Sequence, residues 1–272
     1  MTNAAIEEME GVKARLKEIW TSGDYDRFSR YMESGAREFY ERLDIAPGSQ
    51  VLDVACGSGQ LALMAAKDGM EVTGVDIAGN LVKRAQARAQ AEGLKVRFKE
   101  ADAEALPFDD ASFDVVVSLI GAMFAPRPDY VAKELLRVCV PGGTIAMANW
   151  TPQGFIGQMF KAVSKFIAPS GMPSPVLWGD EPTVRERLGH GLSELYLTRR
   201  QYLFSYPFPP SEGVEFFRLY YGPTNRAFAS LDHTGQVQLR KELEDLWTDH
   251  NQSGPDCTTV HGEYLEIIGI RA

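Results

Sequence analysis

Cysteine is scarce in this 272-residue chain. The three present, Cys56, Cys139 and Cys257, are odd in number and form no CxxC spacing. Neither a disulfide framework nor a zinc site is suggested, and no metal is expected. Basic charge is also in deficit: 28 Lys and Arg stand against 37 Asp and Glu, a net charge of −9. Wide contact with nucleic acid needs a basic stripe, so that class of partner is disfavoured. No apolar run approaches the roughly 18 residues of a membrane span. The first residues, MTNAAIEEMEG, are acidic and lack the apolar core of a signal peptide. Internal repeats and low-complexity tracts are missing too. These absences leave a cytoplasmic protein as the expectation, its oligomeric state open.

What is present is an alternation of strand and helix patterns. Two helical stretches come first: residues 4–20, with Met9, Val12, Leu16, Ile19 and Trp20 at helical spacing, then residues 24–43. Strands are expected at 50–55, 71–76, 95–100, 113–120 and 144–150. Helices fall between them at 60–68, about 80–92, and 129–138, the last capped by Asp129. Pro141-Gly142-Gly143 reads as a turn before the fifth strand. Short links between alternating elements predict an α/β fold with a doubly wound parallel sheet. The rhythm changes after Trp150. Residues 151–193 hold Pro152, Pro169, Pro173, Pro175 and Pro182 and read as an insertion or lid. Strand patterns return at 194–207 and 260–270. Between them 211–250 looks helical, broken at Gly222-Pro223. The expected units are a helical cap over 1–44, a cofactor-binding core over 45–150, the insertion over 151–193, and the end of the sheet over 194–272, with 211–250 as a helical insertion in it.

The densest signal is VLDVACGSGQ, residues 51–60. An apolar strand breaks into a glycine turn that opens a helix, the construction of a nucleotide pocket at the carboxyl edge of an open sheet. Gly57 and Gly59 allow a tight turn and close approach to a ligand. Asp76 ends the next strand, 17 positions beyond Gly59. That is near the roughly 20-residue offset at which such folds place a carboxylate on a ribose. A cofactor with an adenosine-like ribose is expected.

Four stretches in order carry a resemblance: VLDVACGSGQ (51–60), VTGVDIAGNLVKRAQ (72–86), ADAEALPFDDASFDVVVS (101–118) and LLRVCVPGGTIAMANW (135–150). Together they resemble the class I, Rossmann-like S-adenosylmethionine-dependent methyltransferases, more narrowly the small-molecule branch that includes quinone-biosynthesis methyltransferases. The resemblance implies a seven-stranded sheet, mostly parallel with an antiparallel last strand, helices on both faces, and S-adenosyl-L-methionine as cofactor. It also implies roles. Asp53 and the turn residues Ala55, Gly57, Gly59 and Gln60 would hold the methionine part, and Asp76 the ribose hydroxyls. Ile77 would pack on adenine, with Asp102 and Ala103 at its edge. The backbone of Ser118 and Leu119 would lie beneath the sulfonium. Each acid has a plainer reading open, as a turn cap, a helix cap or a solvated loop residue. Cys56 reads as a small buried filler.

The expected partner is a small, apolar or aromatic methyl acceptor, methylated on O, N or C by in-line displacement. Candidate pocket residues are Tyr31, Met123, Phe124, Trp150, Phe155, Phe217, Tyr220 and Tyr221. Arg30, Arg218 and Arg226 are candidates for an acceptor carboxylate. No catalytic base stands out. Of His190, His233, His250 and His261, His233 is a weak candidate. The place after strand four reads SLIGAMF, without the Asp/Asn-Pro-Pro-aromatic or Pro-Cys motifs of nucleic-acid methyltransferases. Two other readings stay open: a nicotinamide-dependent oxidoreductase on a Rossmann fold, and a non-catalytic module that binds the cofactor and a partner.

Overall fold

The computed structural model describes residues 3–167 and 171–272, with side chains from Glu7 onward. Helices α1 (Asn3–Thr21), α2 (Tyr25–Ser29) and α3 (Glu33–Glu41) precede the sheet. The second helical stretch expected from sequence is thus two helices, separated by a 3-10 turn at Arg30–Met32. The alternating part follows: β1 (Gln50–Val54), α4 (Gln60–Lys67), β2 (Glu71–Asp76), α5 (Gly79–Ala91), β3 (Val96–Glu100), β4 (Phe113–Leu119), α6 (Pro128–Val138) and β5 (Cys139–Trp150). Helices α7 (Phe155–Ser164) and α8 (Glu181–Leu188) lead to β6 (Leu192–Tyr206). Then come α9 (Pro210–Tyr220), α10 (Gly222–Ala229), α11 (His233–His250) and β7 (Thr258–Arg271).

One seven-stranded sheet runs in the order β3-β2-β1-β4-β5-β7-β6. Strands β1 to β5 are parallel to one another, and β7 is antiparallel to both β5 and β6. This is the expected sheet, including its reversed last strand. Central parallel strands are covered on both faces, so they are largely apolar. Val51, Leu52, Val54, Val116 and Val117 are fully buried accordingly. Among the described residues, no helix is long and apolar enough to cross a membrane.

Several local expectations are corrected. Asp129 does not cap α6. Pro128 takes the first helical position, where its missing N–H costs nothing, and Asp129 falls within the first turn. Strand β5 starts at Cys139, and Pro141-Gly142-Gly143 is absorbed as an irregularity in its pairing with β4. The break in 211–250 falls at Tyr221, with Gly222 and Pro223 already in α10. Only glycine fits there, since a Cβ at Gly222 would lie 2.1 Å from the Ile19 carbonyl oxygen. Pro169 lies outside the described residues. Among the described residues of 151–193, Trp178 is buried, and a Cβ on Gly179 would meet the Trp150 carbonyl at 2.1 Å.

The late helices anchor on Trp247. Leu239, Leu243 and Trp247 repeat every four residues on one face of α11 and are buried. The Trp247 ring meets Phe155 of α7 edge-on at 4.9 Å and Phe217 of α9 at 5.0 Å. Trp247→Ala is expected to lower the unfolding free energy by about 3–5 kcal/mol. Urea denaturation followed by circular dichroism measures this, and a cost well below that range would refute the anchoring role.

Candidate active site

The glycine turn is built by the two acids around it. After β1 the chain enters left-handed backbone at Ala55 (φ 58°), Gly57 (φ 55°) and Gly59 (φ 82°). Such values cost a residue with a Cβ, so Ala55 is strained. Asp76 holds this geometry from the end of β2. One carboxylate oxygen accepts from the Gly57 N–H at 2.8 Å, the other from the Ala78 N–H at 2.8 Å. Asp53 lies beneath the turn. Its Oδ2 accepts from the Ala62 N–H at 3.2 Å, while Oδ1 is buried with no protein partner. Gly59 has a different task from Gly57: a Cβ there would sit 2.9 Å from Phe98 and 3.1 Å from Ala85, so it permits helix–sheet contact.

Both acids are buried, and burial drives their titration. Desolvation pushes the Asp53 carboxyl up to about 7; the Ala62 N–H opposes this and the Asp76 charge adds to it. Desolvation also raises Asp76, against its two backbone donors. Cys56 is buried, and its thiol is pushed up by desolvation. That is the setting of an inert filler.

Above the turn, the carboxyl ends of β1, β2 and β4 frame a cleft of about 980 Å³, counting its open mouth. Of the residues expected to meet the cofactor, Asp53, Ala55, Gly57, Gln60, Asp76, Ile77, Asp102, Ala103 and Leu119 line it. Gly59 and Ser118 do not. Ser118 is fully buried below the floor, its hydroxyl donating to the Val54 carbonyl and accepting from the Ala122 N–H.

A second, narrow chamber adjoins the cleft and shares Trp20, Tyr25, Ile120 and Phe124 with it. Its remaining walls are Phe28, Met32, Trp150, Ile156, Met159, Phe204, Phe217 and Tyr221. Four of the expected acceptor residues, Phe124, Trp150, Phe217 and Tyr221, stand here. The others are placed elsewhere. Tyr31 packs among Tyr206, Phe208 and Phe216, and Met123 is buried. Tyr220 lies under the Arg27 guanidinium, and Phe155 lies against Trp247. Arg30, Arg218 and Arg226 are engaged by Asp26, Glu215 and Glu18. His233 is exposed at the start of α11, and none of the four histidines lines either cavity.

Four further wall residues were not among those expected. Lys13, Leu16 and Trp20 of α1, with Tyr25 of α2, close the cleft from above. Their helical spacing was visible, but the apolar positions read as an ordinary packed face. Nothing in the sequence marked Lys13.

Comparison with known proteins agrees with this geometry. Residues 51–143 match the family model described as a methyltransferase domain. An uncharacterized protein of Mycobacterium tuberculosis is 40% identical over 255 residues, covering 92% of this chain and 91% of that one. The demethylmenaquinone methyltransferase of Thermus thermophilus is 38% identical over 157 residues, 53% of this chain and 70% of its own. The chain belongs to the class I S-adenosylmethionine-dependent methyltransferases. A phosphoethanolamine N-methyltransferase of Haemonchus contortus, solved with S-adenosyl-L-methionine, shares the fold with a TM-score of 0.57 at 17% identity. That match covers 88% of this chain and 52% of that one. The cofactor is accordingly S-adenosylmethionine, and membership of this family displaces the nicotinamide reading. The donor set fits such a ligand: the cleft offers buried carboxylates, one with an orphaned oxygen, to a molecule that carries an ammonium and ribose hydroxyls.

The raised Asp53 carboxyl has a consequence for stability. A carboxyl with a higher pKa folded than unfolded binds its proton more tightly when folded. Its stabilising contribution is complete below the unfolded value near 4 and is lost as pH rises through about 7. The cofactor-free protein should lose on the order of 3–4 kcal/mol from this group between those limits. In Asp53→Asn that component should vanish. Urea titrations across pH 5–8 read the difference, and parallel curves for both proteins would contradict it.

Proposed function

We propose that the protein moves a methyl group from S-adenosylmethionine to a small apolar or aromatic acceptor held in the second chamber. The observation that carries this is the shared wall. An aromatic, Met-lined chamber shares Trp20, Tyr25, Ile120 and Phe124 with a cleft lined with buried acids. The small volume of that chamber and the net charge of −9 favour a small molecule over nucleic acid.

In this reading Asp53 Oδ1 accepts from the cofactor ammonium, and Ala55, Gly57 and Gln60 border its methionine part. The second lone pairs of the Asp76 carboxylate remain for the ribose hydroxyls. Ile77 and Ala103 pack on the adenine, and Asp102 faces its amine edge. The end of β4 at Leu119 lies toward the sulfonium. Gly59 and Ser118 support the turn and the floor from beneath.

When bound, the cofactor supplies a methyl group on a sulfonium whose departure as a neutral thioether needs no acid. The chain contributes alignment and dryness. Holding the nucleophile in line with the methyl in a near-attack geometry supplies on the order of 7–11 kcal/mol. The aromatic walls exclude water. No carboxylate or imidazole lines the second chamber, and burial pushes the Tyr25 and Tyr221 hydroxyls up, so they stay protonated. The chamber therefore suits a nucleophile that arrives unprotonated, such as a phenolate, an enolate or a free amine.

Transfer from methyl-labelled cofactor to a panel of naphthols, quinols, apolar amines and apolar carboxylates tests the reading. Transfer to aromatic members is expected. Ile156→Trp, which fills the second chamber, should abolish it while leaving S-adenosylhomocysteine binding near wild type. Asp76→Ala should weaken that binding at least about tenfold. Equal loss of cofactor binding in both variants would defeat the two-chamber assignment. Cofactor binding without transfer to any panel member would favour the non-catalytic module.

A further inference from the structure

Helix α1 roofs the active site, yet little apolar burial holds it there. From Glu7 to Trp20 none of its side chains is fully buried. Even so, Lys13, Leu16 and Trp20 project from one face along the whole cleft. Lys13 stands beside Asp102 and Ala103, and Trp20 stands at the junction of the two chambers. Its apolar ring contacts are at the C-terminal end, Trp20 on Tyr25, Phe124 and Tyr221, so the N-terminal half depends on its polar contacts for position.

Those contacts are unequal. The C-terminal end of α1 is pressed on α10: Ile19 leaves room only for Gly222, and Glu18 pairs with Arg226 at 2.9 Å. Toward the N-terminus there are two lysines. Lys17 pairs with Glu100, and both side chains are nearly half exposed. Exposed pairs of this kind contribute little. Lys13 differs. Its ammonium lies between Asp102 at 2.5 Å and Glu104 at 2.9 Å, its side chain is 11% exposed, and that of Glu104 is fully buried. Burial opposes the lysine charge, but the two carboxylates more than offset this and hold it firmly protonated. Glu104 also accepts from the Arg127 backbone N–H at 2.6 Å and from its guanidinium at 2.7 Å. It is thus a fixed anchor in the loop that carries Asp102.

We infer that Lys13 is a positioning residue: clamped between Asp102 and Glu104, it fixes α1 across the cleft and so retains the cofactor beneath Leu16 and Trp20. This rests on the reading that the cofactor occupies the first cavity. The clamp also sets the Asp102 carboxylate. Oδ2 faces Lys13 and Oδ1 accepts from the Glu104 N–H at 2.9 Å. Each oxygen keeps a lone pair for a ligand amine. Because Trp20 is shared by both chambers, the same clamp completes the wall against which the acceptor sits. Cofactor first, acceptor second is the order this construction favours.

The test compares Lys13→Met, Lys13→Arg and Lys17→Met in the full chain. Stopped-flow release of S-adenosylhomocysteine and hydrogen exchange of residues 3–21 are the readouts. Lys13→Met should release the ligand at least about tenfold faster and lose protection over 3–21. Lys13→Arg should restore both, and Lys17→Met should behave as wild type. Unchanged release and unchanged protection in Lys13→Met would overturn the inference, and so would equal effects of the two Met variants. Should the wild type bind no S-adenosylhomocysteine, the cofactor placement fails on its own. Exchange over 3–21 in the ligand-free variants then decides the clamp.

Discussion

Two backbone N–H groups converging on one buried carboxylate organise this molecule. Asp76 accepts from Gly57 and from Ala78, and so ties the turn after β1 to the start of α5 across the tops of two neighbouring strands. A buried carboxylate is costly unless it is hydrogen-bonded, so these donors are obligatory. They require left-handed backbone at the turn, which in turn requires glycine and strains Ala55. Asp53 below remains half-satisfied, one oxygen on the Ala62 N–H and the other on nothing. A pocket with an unsatisfied buried acid is one built for a ligand that brings a donor.

Around that fixed centre, the second cavity is assembled from distant pieces. Trp20 comes from α1, Phe28 from α2, Trp150 from β5, Ile156 and Met159 from α7, Phe204 from β6, Phe217 from α9. No single segment encloses a chamber. The parallel sheet supplies the floor, and helices before and after it supply walls and roof. The first cavity is therefore set by local backbone, while the second depends on the packing of elements with no shared motif. That division suits a fold on which one cofactor serves many acceptors.

The alternating core was legible because its signals are local. Glycine turns, apolar runs and strand-ending acids act within a few residues, so the succession of strands and helices and most of the cleft lining followed from them. Nine of the eleven expected cofactor residues line the cleft. The two that do not, Gly59 and Ser118, are held just beneath by packing against Phe98 and Ala85 and by hydrogen bonds to Val54 and Ala122. The expected caps and turns at Asp129 and Pro141-Gly142-Gly143 shifted because Pro128 claims the first helical position and β5 tolerates a bulge.

The acceptor side was only partly legible. An aromatic side chain at helical spacing looks the same whether it faces a core or a cavity; Tyr31 and Phe155 went to core, Phe217 and Tyr221 to the chamber. Lys13 gained its place from a neighbour some 90 residues away along the chain, Asp102. By itself the sequence determined the strand–helix order, the glycine turn and the acids beside it, because each is a short-range consequence of residue type. Only the tertiary structure decided which rings line the second cavity and which lysine pairs with Asp102 and Glu104, because burial and ion pairing arise from juxtaposition across the chain.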